Sequence, residues 1–383
     1  MSIHRRAAGG LLYLTGCAEA DLPAAEQARG VYEYLYDALR EAHAQPVQER
    51  IYGSLSARAA VLAQRQTVSQ DFGLASFLPP TYIEGAPCEG EGLAGVHVLA
   101  VATGAGDHPF ALADVTWQGH CCGRKVERSG AQHFYLADVA AHVGKPDAGS
   151  SRADHAWAVF EAAGQVLAAH DLSFTDVVRT WVYLDDILSW YDDFNEVRNG
   201  FYRRVGLLTE EAPTFLPAST GIAGRNPWGL GCTLDLLAVR RAATDRPRIW
   251  AVSNPRQSEA YAYKSSFSRG ACMAEEDVTR IYVSGTAAID REGRSVHQGD
   301  LDAQTEFTLR NVESLLAQAD AGFDDLVHAT VFFKPGSDPA ALSRALERTG
   351  LASFPAVTVQ ADICREDLLF EMDAEAAVTT TGW

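Results

Sequence analysis

Residues 354–376 of this chain read FPAVTVQADICREDLLFEMDAEA, and this segment decides the fold prediction. Apolar side chains at positions 357, 359 and 361 alternate with polar ones, which is the pattern of a half-buried strand. The polar connection CREDLL follows, and FEMDAEA resumes as a second strand with Glu371 in its second position. Because a carboxylate is costly to bury, Glu371 is predicted to be either exposed to solvent or chemically active.

The composition of the chain is that of a soluble globular protein with two or three domains. It has 383 residues, of which 47% are hydrophobic and 21% charged. Fifty acidic against 32 basic residues give a net charge of −18, which argues against nucleic acid or an anionic membrane as a partner. No segment approaches the ~20 consecutive apolar residues of a membrane span. An anionic ligand would therefore need a local group of arginines.

The cysteines and the N-terminal segment predict a cytoplasmic protein. The apolar run that follows the two early arginines is too short for a secretory signal and continues into acidic sequence. Seven cysteines, an odd number in a long chain, indicate reduced thiols. Cys121 and Cys122 lie near His120 and His133, but the spacing matches no standard zinc site, so no metal is predicted.

An internal repeat organises the rest of the chain. HDLSFTDVVRTWVYLDD (170–186) aligns with ADAGFDDLVHATVFFKP (319–335) at an offset of 149, so that Tyr183 matches Phe332. An amphipathic helix precedes each copy, and similar strands lie before and after both. The offset falls further downstream, so the first copy carries about ten extra residues, placed near WYDDFNEVRNGFY. The copies predict two β-β-α-β-β units, over residues 118–241 and 250–383.

The N-terminal part, residues 1–117, has two interpretations. GLLYLTGCAEAD resembles the SGTAAID strand of the second copy, AAEQARGVYEYLYDALREA reads as a helix, and VQERIYGSLS reads as the strand after it. The segment is therefore either a third, degenerate copy or an unrelated cap domain. If it is a third copy, we predict a monomer with a single competent cleft between the middle and C-terminal copies.

The order of these elements resembles the reactive-intermediate deaminase (RidA/YjgF) fold. Tyr263 before SSFSRG is similar to the tyrosine of that family's GPYSQA stretch, Ser284 and Gly285 to its SG pair, and Glu371 to its strand-borne glutamate. The resemblance implies an α+β protein of tandem RidA/YjgF-like (chorismate-mutase-like) units in a pseudo-trimeric arrangement, with two clear copies and one degenerate. Val357 stands where the family's deaminases carry a carboxylate-binding arginine, which argues against an imine deaminase.

A second resemblance covers most of the chain except about forty N-terminal residues. RTWVYLDDILSWYDDFN, STGIAGRNPWG, YKSSFSRG, VSGTAAI and ADICREDLLFE resemble runs of the chorismatases, duplicated RidA-like enzymes that release pyruvate from chorismate. Cys364 is typical of members that form 3-hydroxybenzoate, whereas hydrolytic members carry alanine there. Ala287 or Ala288 would line the same cavity, and a residue larger than glycine is less typical of the 3-hydroxybenzoate type. A hydrolytic chorismatase, an imine deaminase and a non-catalytic ligand-binding module stay as alternatives.

The chorismatase resemblance also implies roles for individual residues, with no metal or organic cofactor. Glu371 would be the general acid that protonates the enolpyruvyl methylene, and Cys364 would act on the ring intermediate. Arginine suits the two planar carboxylates of chorismate, and tyrosine hydroxyls supply further donors. The predicted substrate-binding residues are Arg179, Tyr183, Tyr202, Arg225, Tyr263, Arg269, Ala287 and Gln360. Asp235 lies at or next to the position in the middle copy that corresponds to Glu371.

Overall fold

A computed structural model describes residues 1–73, 78–102, 110–144, 147–209, 213–242 and 247–379 of the chain. In these residues three β-sheets each carry two α-helices, and we refer to each sheet with its helices as the N-terminal, middle or C-terminal unit. No helix in the described part of the chain is long and apolar enough to cross a membrane.

The three units follow one another along the chain. The N-terminal unit consists of β1 (Ser2–Ala8), β2 (Leu11–Cys17), α1 (Ala24–Glu41), β3 (Ala44–Gly53), α2 (Arg58–Asp71), β4 (Thr81–Glu84), β5 (Ala86–Pro87) and β6 (Leu93–Ala102). The middle unit consists of β7 (Ala111–Trp117), β8 (His120–Arg128), β9 (Ala131–Leu136), α3 (Arg152–Ala168), β10 (Val177–Leu184), α4 (Tyr191–Arg204), β11 (Ala218–Ala223) and β12 (Cys232–Arg240). The C-terminal unit consists of β13 (Arg248–Val252), β14 (Gly270–Ala274), β15 (Val278–Ala287), α5 (Leu301–Ala317), β16 (Leu326–Phe333), α6 (Ala340–Thr349), β17 (Ala356–Gln360) and β18 (Phe370–Thr379).

The strand order is equivalent in all three units, except that the middle and C-terminal sheets have one more strand at the start and the C-terminal sheet also has β5 at its end. The sheets run β1-β2-β6-β3-β4, β7-β8-β9-β12-β10-β11 and β13-β14-β15-β18-β16-β17-β5. In each, the closing strand lies between an early hairpin and a parallel pair. The predicted α+β fold of tandem units is therefore confirmed, and the N-terminal unit is a third copy.

Each unit contains a second helix that the predicted β-β-α-β-β pattern lacks. The pairs β3–β4, β10–β11 and β16–β17 are parallel, and parallel neighbours need a crossover connection, which α2, α4 and α6 provide. The segment near WYDDFNEVRNGFY, predicted to be an insertion, is α4, and its counterpart α6 is four residues shorter (14 against 10 residues). These helices are short, with 14, 14 and 10 residues, and polar on average, and the repeat alignment did not predict them.

The strand pairing also revises the limits of the units. The middle sheet begins at Ala111 in β7, which lies inside the predicted range 1–117. The short strand β5 lies between β4 and β6 along the chain but pairs with β17, and so extends the C-terminal sheet. We propose that the middle domain begins before Ala111, and the other predicted bounds stay predictions.

The central strands meet in a shared interior to which all three units contribute. One apolar cluster there joins Tyr52, Trp181, Tyr183, Phe332 and Val357. A register shift at the start of β3, β10 and β16 falls at the same point in each unit, so equivalent residues can be matched across the units. In the closing pairs, Tyr52 lies opposite Gly95, Tyr183 opposite Thr233, and Phe332 opposite Glu371.

This register corrects one expectation from the sequence. Thr233, not Asp235, is the counterpart of Glu371 in the middle unit. Asp235 lies opposite Trp181 and is equivalent to Asp373, which lies opposite Thr330. The position of Glu371 therefore carries a carboxyl group in only one of the three units.

Candidate active site between the middle and C-terminal units

A pocket lies where the middle unit meets the edge of the C-terminal sheet. From the middle unit it is lined by Tyr191, Asp192 and Asn195 of α4 and by Ser219 and Gly221 of β11. From the C-terminal unit it is lined by Tyr263, Ser265, Phe267, Arg269, Gly285, Ala287, Ile289, Cys364, Arg365 and Glu371. Its empty space is about 670 Å³, including the solvent-filled mouth.

Glu371 is the acid of this pocket. It lies in β18 with 4% of its surface exposed, so it is buried rather than solvated. Its pKa is raised to about 8, mainly by burial and then by the neighbouring Asp373, while Arg269 and Arg179 act in the opposite direction. Burial dominates because the charged form loses its hydration. The carboxyl group is therefore protonated at neutral pH and can donate a proton into the pocket.

Gly285 makes room for that carboxyl group. A Cβ atom at this position would overlap Oε1 of Glu371 and lie 3.2 Å from its Cδ. The preceding Ser284 fixes the strand across the unit boundary, because its Oγ donates to the carbonyl of Ser268 (2.6 Å) and accepts from the N–H of Ser219 (2.8 Å). The SG pair thus combines a contact between units with space for the acid.

Cys364 lies in the connection between β17 and β18 and lines the same pocket. Burial raises the pKa of its thiol to about 12, with a further contribution from Glu371, so the sulfur stays protonated. Tyr191 of α4 faces it, and burial raises the pKa of that phenol as well. In the described part of the chain, no three His, Cys, Asp or Glu side chains gather as metal ligands.

Two arginines bring positive charge to the pocket. Arg269 donates from Nε (2.9 Å) and Nη2 (2.6 Å) to the carbonyl of Ser258, and from Nη2 to Oη of Tyr263 (2.7 Å). These bonds hold its plane and leave Nη1 for a ligand. Arg365 donates to the carbonyl of Gly293 (2.9 Å), and its guanidinium lies 5.3 Å from the centre of the Tyr263 ring.

Arg179, a predicted substrate-binding residue, lies behind the pocket and does not line it. It is 1% exposed and donates from Nη2 to Oγ1 of Thr220 (2.6 Å) and to Oδ2 of Asp373 (3.1 Å). Its guanidinium also lies over the ring of Trp181, 4.7 Å from the centroid. Arg179 therefore acts on the pocket through its neighbours.

The structure does not bring the predicted Tyr183 and Tyr202 to this pocket. Tyr183 is buried in the shared interior, where its hydroxyl lies 3.0 Å from that of Tyr52. Tyr202 packs in the core of the middle unit against Phe160 and Phe174. Both tyrosines follow the default of a core packing residue.

Arg225 and Gln360 also lie elsewhere, beside a depression where the three units meet. Arg225 is exposed and forms an ion pair with Glu84 of the N-terminal unit. Gln360 donates to the carbonyl of Pro87, 3.3 Å away, in the strand that extends the sheet. Of the predicted site residues, the structure gathers Glu371, Cys364, Tyr263, Arg269 and Ala287 around one pocket.

Four side chains of the pocket were not predicted from the sequence: Tyr191, Asp192, Asn195 and Arg365. The first three lie in DILSWYDDFN and the fourth in CREDLL, two runs that carry the resemblance to the chorismatases. The first three reach the pocket from α4, a helix that the repeat alignment did not predict.

Comparisons with known protein families agree with these features. A family model described as Endoribonuclease L-PSP matches residues 261–378. A RutC family protein of Pyrococcus abyssi is 33% identical over 97 residues, which are 25% of this chain and 76% of that protein.

Longer matches come from proteins named chorismatase. The protein of Streptomyces hygroscopicus is 27% identical over 225 residues, which are 54% of this chain and 63% of the relative. The protein of Streptomyces rapamycinicus is 29% identical over 228 residues, with 54% and 65% covered. The chain thus spans just under two thirds of the length of these curated relatives. A chorismatase crystal structure aligns with a TM-score of 0.60 and 17% identity, over 98% of this chain and 100% of the other, so the two share a fold.

Proposed function

The chain belongs to the RutC family, and we propose that it is a chorismatase that converts chorismate into 3-hydroxybenzoate and pyruvate. The observation that carries the proposal is a buried carboxyl group, protonated at neutral pH, that faces a pocket with two arginines. The similarity to two chorismatases supports the choice of substrate class.

The charges of the pocket suit a dianion. Chorismate has a ring carboxylate and an enolpyruvyl carboxylate, and arginine binds planar carboxylates well. Arg269 and Arg365 lie on the C-terminal side of the pocket, and the hydroxyls of Tyr263 and Tyr191 lie beside them. Because the chain as a whole carries a charge of −18, binding depends on this local field.

Glu371 would start the reaction by donating its proton to the terminal methylene of the enol ether. The carbon next to this methylene then becomes electrophilic, and the ether oxygen that joins it to C3 of the ring becomes part of a leaving group. Displacement of that oxygen by the 4-hydroxyl of the ring, followed by aromatisation, gives 3-hydroxybenzoate and pyruvate with no water consumed. Attack by water gives a dihydroxycyclohexadiene carboxylate and pyruvate, with one water consumed.

A pyruvate assay on the purified protein with chorismate tests this proposal. We expect equimolar pyruvate and an aromatic acid, identified by chromatography and by the ultraviolet spectrum of a phenol. A non-aromatic diene with pyruvate would assign the hydrolytic reaction instead. Absence of pyruvate would exclude both chorismatase reactions.

Replacing Cys364 by alanine is expected to raise the share of the hydrolytic product. The smaller side chain opens space for water beside Glu371, and it removes the only thiol among the residues that line the pocket. The measurement is the ratio of aromatic to diene product at equal pyruvate yield. Cys88, which lies elsewhere and is half-buried, offers a matched control as Cys88→Ala. An unchanged product ratio would show that Cys364 does not select the product. The remaining sequence signal would then be Ala287, which also lines the pocket and is less typical of the 3-hydroxybenzoate type, so the hydrolytic alternative would be favoured.

A further inference from the structure

A buried charge pair joins the two units directly behind Glu371. Asp373 lies two residues further along β18 and therefore points to the same face of the strand. Its Oδ2 accepts from Oγ1 of Thr220 (2.7 Å) and from Nη2 of Arg179 (3.1 Å), both in the middle unit. All three side chains are at most 4% exposed, so solvent screens this pair weakly.

The threonine contact recurs at the next unit boundary, but the arginine does not. Oγ1 of Thr81 donates to Oδ1 of Asp235 over 2.7 Å, and these two residues are the counterparts of Thr220 and Asp373. The counterpart of Arg179 there is the neutral Gln48. The contact between threonine and aspartate therefore occurs at two of the three unit boundaries, since Val357 takes the place of the threonine at the third, and the arginine occurs at the boundary where the neighbouring strand also carries Glu371.

The groups that face Glu371 come from several elements. The charged ones are Asp373 in the same strand, Arg179 of β10 and Arg269 before β14, with Asp192 and Arg365 on more distant walls of the pocket. The uncharged titratable ones are Cys364, Tyr191 and Tyr263. Among the charged groups that act on Glu371, Asp373 is the one that favours the protonated form. Thr220 and Arg179 of the middle unit hold the Asp373 carboxylate in place.

We propose that Asp373 and Arg179 form a positioning pair that keeps the carboxyl group of Glu371 protonated while the middle and C-terminal units are docked. At Glu371 the charge of Asp373, which favours the protonated form, has a larger effect than the charge of Arg179, which favours the ionised form. Loss of either leaves the other unbalanced in a medium of low dielectric, so the two losses act on Glu371 in opposite directions. This inference rests on the proposed role of Glu371 as the general acid.

The test compares three variants by the pH at which activity declines on the alkaline side. Asp373→Asn keeps the shape and an acceptor for Thr220 but leaves Arg179 uncompensated, so the decline is expected about one pH unit or more lower. Arg179→Gln is expected to move it upward. Thr220→Val removes the hydrogen bond but neither charge, so the midpoint is expected to stay in place. If Arg179→Gln fails to fold, Thr220→Val is the second variant to compare with Asp373→Asn.

Two further measurements separate this inference from the proposed function. Infrared titration of the carboxyl stretch, assigned with Glu371→Gln, follows ionisation without any substrate. Shifts in that titration with no pyruvate release would support the charge pair and exclude the chorismatase reaction. Asp235→Asn is the control for the loss of a buried carboxyl group at the neighbouring unit boundary, and the titration of Glu371 in this variant is expected to match the wild type. Equal midpoints in Asp373→Asn and the wild type, or a shift of the same size in Thr220→Val, would overturn the inference.

Discussion

Replacing Glu371 by glutamine is expected to lower the rate of pyruvate release from chorismate by about 10³-fold, since general acid catalysis contributes about 10²–10⁴-fold. Glutamine has the shape of the protonated acid but no transferable proton. The pocket is otherwise unchanged, so chorismate should still bind, and calorimetric titration of the variant measures its affinity directly.

The control for this variant is Glu366→Gln in the CREDLL connection that precedes β18. Glu366 is exposed and paired with Lys334, far from the buried face of β18. We expect its activity to equal that of the wild type. Retained pyruvate release in Glu371→Gln would assign the proton to another group, and loss of both binding and release would indicate a structural role.

The pH dependence follows from the same raised pKa. Glu371 is active when protonated, so the rate is expected to be constant below its pKa of about 8 and to fall as the pH rises through it. The same raised pKa affects stability. In the unfolded chain this carboxyl group ionises near its usual pKa of 4.5, whereas in the folded protein it stays protonated up to a pH of about 8. The wild type therefore loses stability as the pH rises from about 4.5 to about 8. Thermal unfolding should therefore show Glu371→Gln to be more stable than the wild type at pH 8, with a smaller difference in acid.

Replacing Gly285 by alanine is expected to lower the rate about 10²-fold, as displacing a reacting group by about 1 Å does. The new Cβ would overlap Oε1 of Glu371, and the carboxyl group can move only away from β15. The affinity for chorismate should change less than the rate, because Arg269 and Arg365 keep their backbone partners. Steady-state kinetics separate the two effects.

Gly322→Ala is the matched control for this substitution. A Cβ at Gly322 would meet open space, and the backbone there has an ordinary negative φ of −137°. Its kinetics should equal those of the wild type. If Gly285→Ala retains full activity, the acid has more freedom than the close approach of these two strands implies.

The repeat was the part of the fold that the sequence could predict. Strands such as β17 and β18 alternate apolar and polar residues or carry a motif, and a fixed offset matched Tyr183 to Phe332 across two copies. The second helix of each unit escaped because α4 and α6 are short and bury few side chains. Their necessity becomes clear only from the parallel strand pairs that they connect.

The candidate site was predictable within one unit and unpredictable between units. All four predicted pocket residues with polar or ionisable side chains belong to the C-terminal unit and lie in motifs that could be read from the sequence: Glu371, Cys364, Tyr263 and Arg269. Tyr191 reaches the pocket from the middle unit by docking, which no local pattern encodes. Arg225 resembled an anion-binding residue in its Gly-rich turn, yet it forms a surface ion pair across a different boundary.

Fusion of three units into one chain frees each unit boundary to change alone, whereas in a homotrimer a single mutation alters all three. At the boundary of β6 with β17, Val357 packs against Gly95 and occupies the space of an acid. At the boundary of β12 with β4, Oδ1 of Asp138 instead accepts a hydrogen bond from Thr233 over 2.9 Å. Of the three equivalent strand positions, Glu371, Gly95 and Thr233, only Glu371 therefore places a carboxyl group in a pocket, while Val357 and the bond between Thr233 and Asp138 fill the space at the other two.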